Sequence, residues 1–225
     1  MKKKIVFSWS GGKDSAMALH EIRRSGDYEV VALLTTVTRQ YQRICMHGVR
    51  ESLLDAQAAA LGIPCDKIYM SEAPTNEEYE AKLHGTLEIH KKRGIQRVAF
   101  GDIFLEDLKA YRDKNLASWG IEGIYPIWKR DTRQLIRDFV SQGFKGVLAC
   151  IDQRVLPESW AGKSIDETFL QDIPAGVDPC GENGEYHTFV YDGPVFQDKI
   201  AIRLGEQVTR APFVYRDVLL GGESS

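Results

Sequence analysis

Ser10, Gly11, Gly12, Lys13, Asp14 and Ser15 follow one another directly behind a short apolar run at residues 5–9. That order reads as strand, glycine turn and helix. The first amides of a helix have no intrahelical acceptor, and the helix dipole adds partial positive charge beside them. Adjacent glycines let an oxyanion approach that backbone with no Cβ in the way. Ser10 and Ser15 add hydroxyls and Lys13 adds a cation, so the stretch suits phosphate. Asp14 suits a bare anion site poorly and would instead hold a Mg²⁺ bridging it to phosphate. The plain alternative is a glycine-rich turn with no ligand. Spacing excludes two common phosphate loops. A Walker loop requires glycine where Phe7 stands and serine or threonine where Asp14 stands, and a dinucleotide fingerprint requires a third glycine that does not follow.

A second concentration of chemistry lies at residues 178–188, which hold Asp178, Cys180, Gly181, Glu182, Gly184, Glu185, Tyr186 and Thr188. Loops on a rigid scaffold often carry function. A calcium-type or purely structural acidic turn is the alternative, but no regular spacing of oxygen ligands is present. Cys180 reads either as a nucleophile or as an inert thiol, since neighbouring carboxylates would raise its pKa.

These residues need elements to hold them. Helical periodicity marks residues 14–24, 49–61, 76–93, 106–119 and 132–142, and glycines close most of these segments. Strand-like runs occupy 5–9, 29–35, 66–69 and 97–101. Alternating strands and helices imply an α/β fold, a parallel sheet with helices on both faces. Ligands of such sheets bind beyond the carboxyl ends of the strands. Ser8, Thr35, Gly101 and Asp102 fall at those ends. Asp102 reads equally as a cleft residue or as a turn and helix-cap residue. The pattern changes near residues 124–128, and the remainder of the chain reads as a smaller C-terminal α+β domain with an apolar run at 146–151 and a short strand at 199–204. The expected division is 1–128 and 129–225. Beyond Leu204 no pattern is legible, and residues 221–225 read as a frayed end.

Composition sets bounds. The 225 residues are 43% apolar and 27% charged, with a formal net charge of −3. These are ordinary values for a globular protein and give no electrostatic case for nucleic-acid binding. Lys2, Lys3 and Lys4 precede an apolar stretch of only five residues, too short for a signal peptide or a membrane span. The four cysteines, at 45, 65, 150 and 180, form no C-x-x-C pair, so free thiols in a reducing cytoplasm are expected.

The hexapeptide at 10–15 resembles the PP-loop, S-G-G-x-D-S, of the N-type ATP pyrophosphatases. Together with C-G-E-x-G-E-Y-x-T at 180–188 it is similar to the diphthine–ammonia ligase (diphthamide synthetase) family of that class. Further matches are His47-Gly48 before the second helix, residues 57–64, Trp128 to Asp131, and Asp192 to Phe196. The resemblance implies a HUP/Rossmann-like sheet and the cofactors ATP and Mg²⁺. It also implies formation of an acyl-adenylate and pyrophosphate from a substrate carboxylate, followed by attack of ammonia. On this reading Ser8, Ser10, Gly11, Gly12, Lys13, Asp14, Ser15, Thr35, His47, Gly101 and Asp102 contact the nucleotide, with Asp14 on the metal. Cys180, Gly181, Glu182, Gly184, Glu185, Tyr186 and Thr188 face the acceptor. Lys13, Asp14, Glu182 and Glu185 carry the catalysis. The family's acceptor, diphthine on elongation factor 2, bears a quaternary ammonium, for which the rings of Tyr186 and Trp160 would be cation–π receptors.

The segment from Gly101 to Leu108 departs from the G-A-I and S-x-Y-Q pattern of diphthamide-making members, and Tyr111-Arg112-Asp113 stands near their R-x-E. The extra carboxylate at Asp102 could change metal use or acceptor choice, and the variant segment resembles that of a bacterial-type branch of the family. A small carboxylate is therefore the second acceptor reading, and a nucleotide-binding sensor is a second class. A tRNA thiolase is disfavoured by charge and cysteine spacing. Neither a membrane nor a nucleic-acid partner is expected, and a homodimer is left open.

Overall fold

Ile5, Val6 and Phe7 expose at most 1% of their surface, as a strand covered on both faces requires. They form the middle of β1 (Lys3–Ser8), which pairs in parallel with β2 (Tyr28–Thr38) and with β5 (Arg97–Ala99). The structure, a computed structural model, describes residues 1–45 and 48–222. β4 (Cys65–Met70) runs parallel along β2, and β6 (Glu122–Ile124) runs parallel to β5. The two-residue β3 (Arg43–Ile44) returns antiparallel onto the far end of β2. Helices α1 (Lys13–Ser25), α2 (Glu51–Leu61), α3 (Asn76–Lys91) and α4 (Glu106–Ser118) lie between the strands. Ile5 and Phe7 join Ala16, Leu19 and Leu53 in one apolar cluster, whereas Val6, Ala32 and Leu34 meet Leu83, Leu87 and Leu116 in the other. Helices therefore cover both faces, as the alternation implies.

Several boundaries differ from expectation by one to three residues, and two of them have a clear cause. β2 runs on to Thr38 because Val37 is buried and its backbone finds partners in β3 and β4. α2 begins at Glu51, since Arg50 is extended at φ −62° and ψ 145°.

The second half contains α5 (Thr132–Ser141), β7 (Lys145–Asp152), α6 (Glu167–Asp172), β8 (Tyr186–Asp192), β9 (Ile202–Arg210) and β10 (Phe213–Leu220). The strands form an antiparallel sheet in the order β8-β7-β10-β9. The carboxylate of Asp131 caps α5 by accepting the Gln134 amide at 2.8 Å, and Leu135, Ile136 and Phe139 are its buried stripe. The strand expected at 199–204 lies instead at Ile202–Arg210, and β10 follows where no element was legible. β9 is an edge strand with Leu204 and Val208 exposed, so it lacks the in–out alternation by which strands are read. Val147, Leu148, Phe189 and Val214 of this sheet belong to the same apolar cluster as Ile5 and Phe7, so the two halves share a core. Among the described residues, no helix is long and apolar enough to cross a membrane.

Candidate active site

The turn between β1 and α1 is held from three directions. Gly11 sits at φ +80°, a conformation glycine adopts without strain, and a Cβ there would lie 2.8 Å from Gln57 Oε1. Gln57, fully buried on α2, donates through Nε2 to Gly11 O at 3.0 Å and to Val190 O at 2.6 Å, and accepts from Trp9 Nε1 at 2.9 Å. From the second sheet, Val190 N donates to Gly11 O at 2.9 Å. From the first, Gly101 packs so tightly on the start of α1 that a Cβ would lie 2.9 Å from Ser15 N. Within the turn, Ser10 N donates to Ser15 Oγ at 3.1 Å, the two hydroxyls are 2.8 Å apart, and Gly12 N donates to Ser10 Oγ at 3.3 Å.

The start of α1 has no side-chain cap of its own. The Lys13 amide donates to Thr188 Oγ1 at 3.0 Å, which takes one first-turn donor out of reach of a phosphate. The turn and the acidic loop thus form one site built from both halves of the chain.

Lys13 is buried at 3% exposure. Its ammonium pairs with Asp14 Oδ2 at 2.8 Å and lies 5.1 Å from the centre of the Tyr186 ring. Burial alone would lower its pKa, but Asp14, Cys180 and Glu182 together outweigh burial and raise it, so Lys13 is charged. The other carboxylate oxygen of Asp14, Oδ1, is buried with no hydrogen-bond partner among the described residues. A buried unpaired carboxylate oxygen costs free energy unless a ligand completes it. No three His, Cys, Asp or Glu side chains converge as a metal cage among the described residues. The donor set therefore fits Mg²⁺ held by one carboxylate together with substrate phosphate oxygens, the arrangement that ion favours.

Glu182 reaches this cluster from the acidic loop. Burial, then the negative charges of Asp14 and Asp102, push its carboxyl up to about 8, against the opposing pull of Lys13 and a hydrogen bond from the Ile103 amide. Asp102 is also raised, by burial first, but its carboxylate is already bonded to Arg112 on α4, whose guanidinium lies 4.2 Å from the Phe100 ring. Asp102 therefore stands in the cleft as half of an ion pair.

The other expected residues hold the loop or the sheet together. Both Glu185 oxygens accept from their own loop: the Asp178 amide at 2.9 Å, the Asn183 amide at 2.9 Å and Asn183 Nδ2 at 3.0 Å. Tyr186 donates to Pro179 O at 2.6 Å. Cys180 Sγ donates to Thr132 O at 3.4 Å, and burial with Asp14, Asp178 and Glu182 nearby pushes the thiol far up despite Lys13. Burial and these neighbouring charges disfavour the nucleophilic thiolate. Thr35 is buried and donates to Trp9 O at 2.7 Å, and Ser8 ends β1 opposite Leu34. Gly12 is the residue before α1, and Gly181 and Gly184 turn the acidic loop at φ +69° and +87°. His47 lies outside the described residues.

Three residues that the sequence motifs include, but to which they assign no role, support the site. Asp178 accepts from the Cys180 and Glu182 amides and from the Thr132 hydroxyl, so it sets the loop's shape. Gln57 and Arg112 sit on helices whose patterns mark only apolar faces, and nothing local signals a buried amide or a cleft guanidinium.

The Tyr186 and Trp160 rings are both buried. Lys13 lies over the first and Lys163, at 4.3 Å, over the second, while Phe169 packs edge-on between them. Neither ring presents an open face to a cationic ligand.

A family model described as the diphthamide synthase N-terminal domain matches residues 2–122, and one described as the diphthamide synthase C-terminal domain matches residues 131–217. Proteins named diphthine–ammonia ligase are similar to this chain along most of its length. The one from Danio rerio is 27% identical over 237 residues, covering 96% of this chain and 92% of the relative. The one from Homo sapiens is 27% identical over 235 residues, covering 93% and 86%. The one from Schizosaccharomyces pombe is 26% identical over 219 residues, covering 88% of this chain but 36% of that longer protein.

Proposed function

The chain belongs to the diphthamide synthase family of ATP-dependent ligases, and from that premise we propose that it adenylates a substrate carboxylate and passes the acyl group to ammonia. A carboxylate oxygen attacks the α-phosphorus of ATP, the α–β bridging bond breaks, and pyrophosphate leaves. Ammonia then attacks the acyl carbon, the acyl–phosphate bond breaks, AMP leaves and the nitrogen loses a proton. Such chemistry asks the protein chiefly for positioning and for neutralising charge on the phosphates.

The observation that carries this reading is the joining of the two motifs, the Lys13 amide on Thr188 and the Lys13 ammonium beside Asp14, Glu182 and the Tyr186 ring. Ser10, Gly11, Gly12 and Ser15 would hold the leaving pyrophosphate, and Lys13 would offset its charge. Asp14 would hold Mg²⁺, which when bound supplies further neutralisation between phosphate oxygens. Glu182 would face the acceptor, while Glu185 would act as a positioning residue that keeps the loop folded.

Diphthine is the acceptor in the relatives' names, and the motif resemblance implies that it is carried on elongation factor 2. The covered faces of Tyr186 and Trp160 favour a second reading, an uncharged or anionic small carboxylate. Acceptor-dependent ATP–pyrophosphate exchange tests both. Exchange with diphthine-bearing elongation factor 2, and amide on adding ammonium, supports the first. Exchange with a small carboxylate alone supports the second. Formation of ADP in place of AMP overturns the adenylation mechanism.

A further inference from the structure

At the far end of β2, β3 and the β9–β10 hairpin enclose a cavity of about 380 Å³, within the range of small-molecule sites. Arg43, Arg210, Arg216 and Asp217 line it together with the apolar surfaces of Ile44 and Val208. Asp217 is already shared: Arg43 donates to it at 3.0 Å and Arg50 at 2.6 Å. Arg216 donates only to neutral acceptors, Ala161 O at 3.2 Å, Gly205 O at 3.3 Å and Gln207 Oε1 at 2.8 Å. Arg210 lies 5.6 Å from the Tyr41 ring, with no carboxylate paired to it among the described residues. Glu72 bonds the Tyr41 hydroxyl but is not a lining residue. Among the lining residues, three guanidiniums against one carboxylate leave an excess of two positive charges, in a chain whose formal charge is −3.

Like charges gathered around a concave surface repel one another unless an anion joins them, and guanidinium forks match carboxylate and phosphate oxygens. The lining includes no residue of the β1–α1 turn or of the acidic loop. Ser8, where that turn begins, pairs with Leu34, and Thr38 at the cavity lies four residues further along β2. At the rise of a strand that is about 13 Å. We propose that this cavity is a second ligand site, taking a small molecule with a phosphate or carboxylate group attached to an apolar body. Its wall draws on both sheets, so occupancy ties β3 to the β9–β10 hairpin.

The test is calorimetric titration of the whole chain, saturated with Mg²⁺ and a non-hydrolysable ATP analogue, with phenyl phosphate, phenylacetate or tetramethylammonium. Phenyl phosphate or phenylacetate should bind with one equivalent, and the tighter of the two identifies the anionic group. Arg210→Glu, which lowers the excess charge of the lining from two to zero, should weaken that binding at least tenfold and leave binding of the ATP analogue unchanged. Val208→Glu, at an exposed lining position, should do the same without touching an arginine. Failure of both anions to bind, unchanged affinity in both variants, or preference for tetramethylammonium overturns the proposal.

Discussion

The amide of Lys13 and the hydroxyl of Thr188 are 3.0 Å apart in space and 175 residues apart in sequence. This hydrogen bond joins the first turn of α1 to β8, so the β1–α1 turn is complete only when the second sheet is docked. Two neighbouring links, Val190 N to Gly11 O at 2.9 Å and Gln57 Nε2 to Val190 O at 2.6 Å, repeat the connection.

Removing the Thr188 hydroxyl leaves a buried amide without its acceptor, which costs about 1–3 kcal/mol. For a chain of this size that is a fall of roughly 2–12 °C in Tm. Thr188→Ala should show this fall together with weaker ATP binding, and Thr188→Ser should restore both. A calorimetric scan with and without ATP checks it, and equal behaviour of the two variants would show that the hydroxyl is not the link.

Asp14 Oδ1 has no protein partner among the described residues, and under the proposed function a cation would complete it. Asp14→Asn keeps the shape and removes the charge. AMP formation should fall by about a hundredfold or more, the scale of a lost charge-stabilising group. The separate readout is binding of a non-hydrolysable ATP analogue, which should tighten with Mg²⁺ in the wild type and lose that dependence in the variant. Retained Mg²⁺ dependence would assign the ion to another group.

Glu185 accepts three hydrogen bonds from its own loop, so its loss should act through Glu182 and Asp178. Glu185→Ala should spare ATP binding, block acceptor-dependent turnover and make the loop more open to proteolysis near Gly184. Wild-type turnover in this variant would remove the acidic loop from the acceptor site.

Much of this arrangement was legible from local signals. The glycine turn, the alternating strands and helices and the Asp131 cap each declare themselves within a few residues. The acidic loop was legible as a cluster, but not which carboxylate faces the cleft, because Glu182 and Glu185 differ only in what the fold brings to them. Glu182 meets Asp14 and the Ile103 amide, whereas Glu185 meets Asp178 and Asn183. The pairing of Asp102 with Arg112 depends on how α4 packs, and the β9–β10 hairpin lacks alternation because one strand is an edge.

Asp217 gives the pH dependence of the contact between β3, α2 and β10. Burial pushes its carboxyl up, but hydrogen bonds from Arg50 and Arg43 outweigh burial and hold it below the ordinary value of 3.8. A folded-state pKa below the unfolded one contributes stability that is fully present above 3.8 and is lost as pH falls through the folded value. Asp217→Asn should therefore be less stable than wild type at pH 7, by a modest amount because both arginines are about one-third exposed. Urea midpoints measured from pH 7 downward should converge at the acid end. A gap that stays constant would assign the effect to packing.

Gly101 tests whether the end of β5 and the start of α1 must touch. A methyl group added there would meet Ser15 N at 2.9 Å, Asp14 C at 3.0 Å and Asp14 O at 3.1 Å. All three are backbone atoms of the first helical turn, so no side chain can swing aside to make room. Gly101→Ala must push α1 outward or twist β5, at about 1–3 kcal/mol for overpacking. The displaced turn carries Asp14 and Ser15, so nucleotide affinity should fall more than stability does. Gly94→Ala, at an open turn with no atom within 4 Å of its added methyl, is the control. It should lose some stability from its φ of +79° but keep ATP affinity. If Gly101→Ala binds ATP as the wild type does, the close approach of β5 to α1 is packing alone and the turn's geometry does not depend on it.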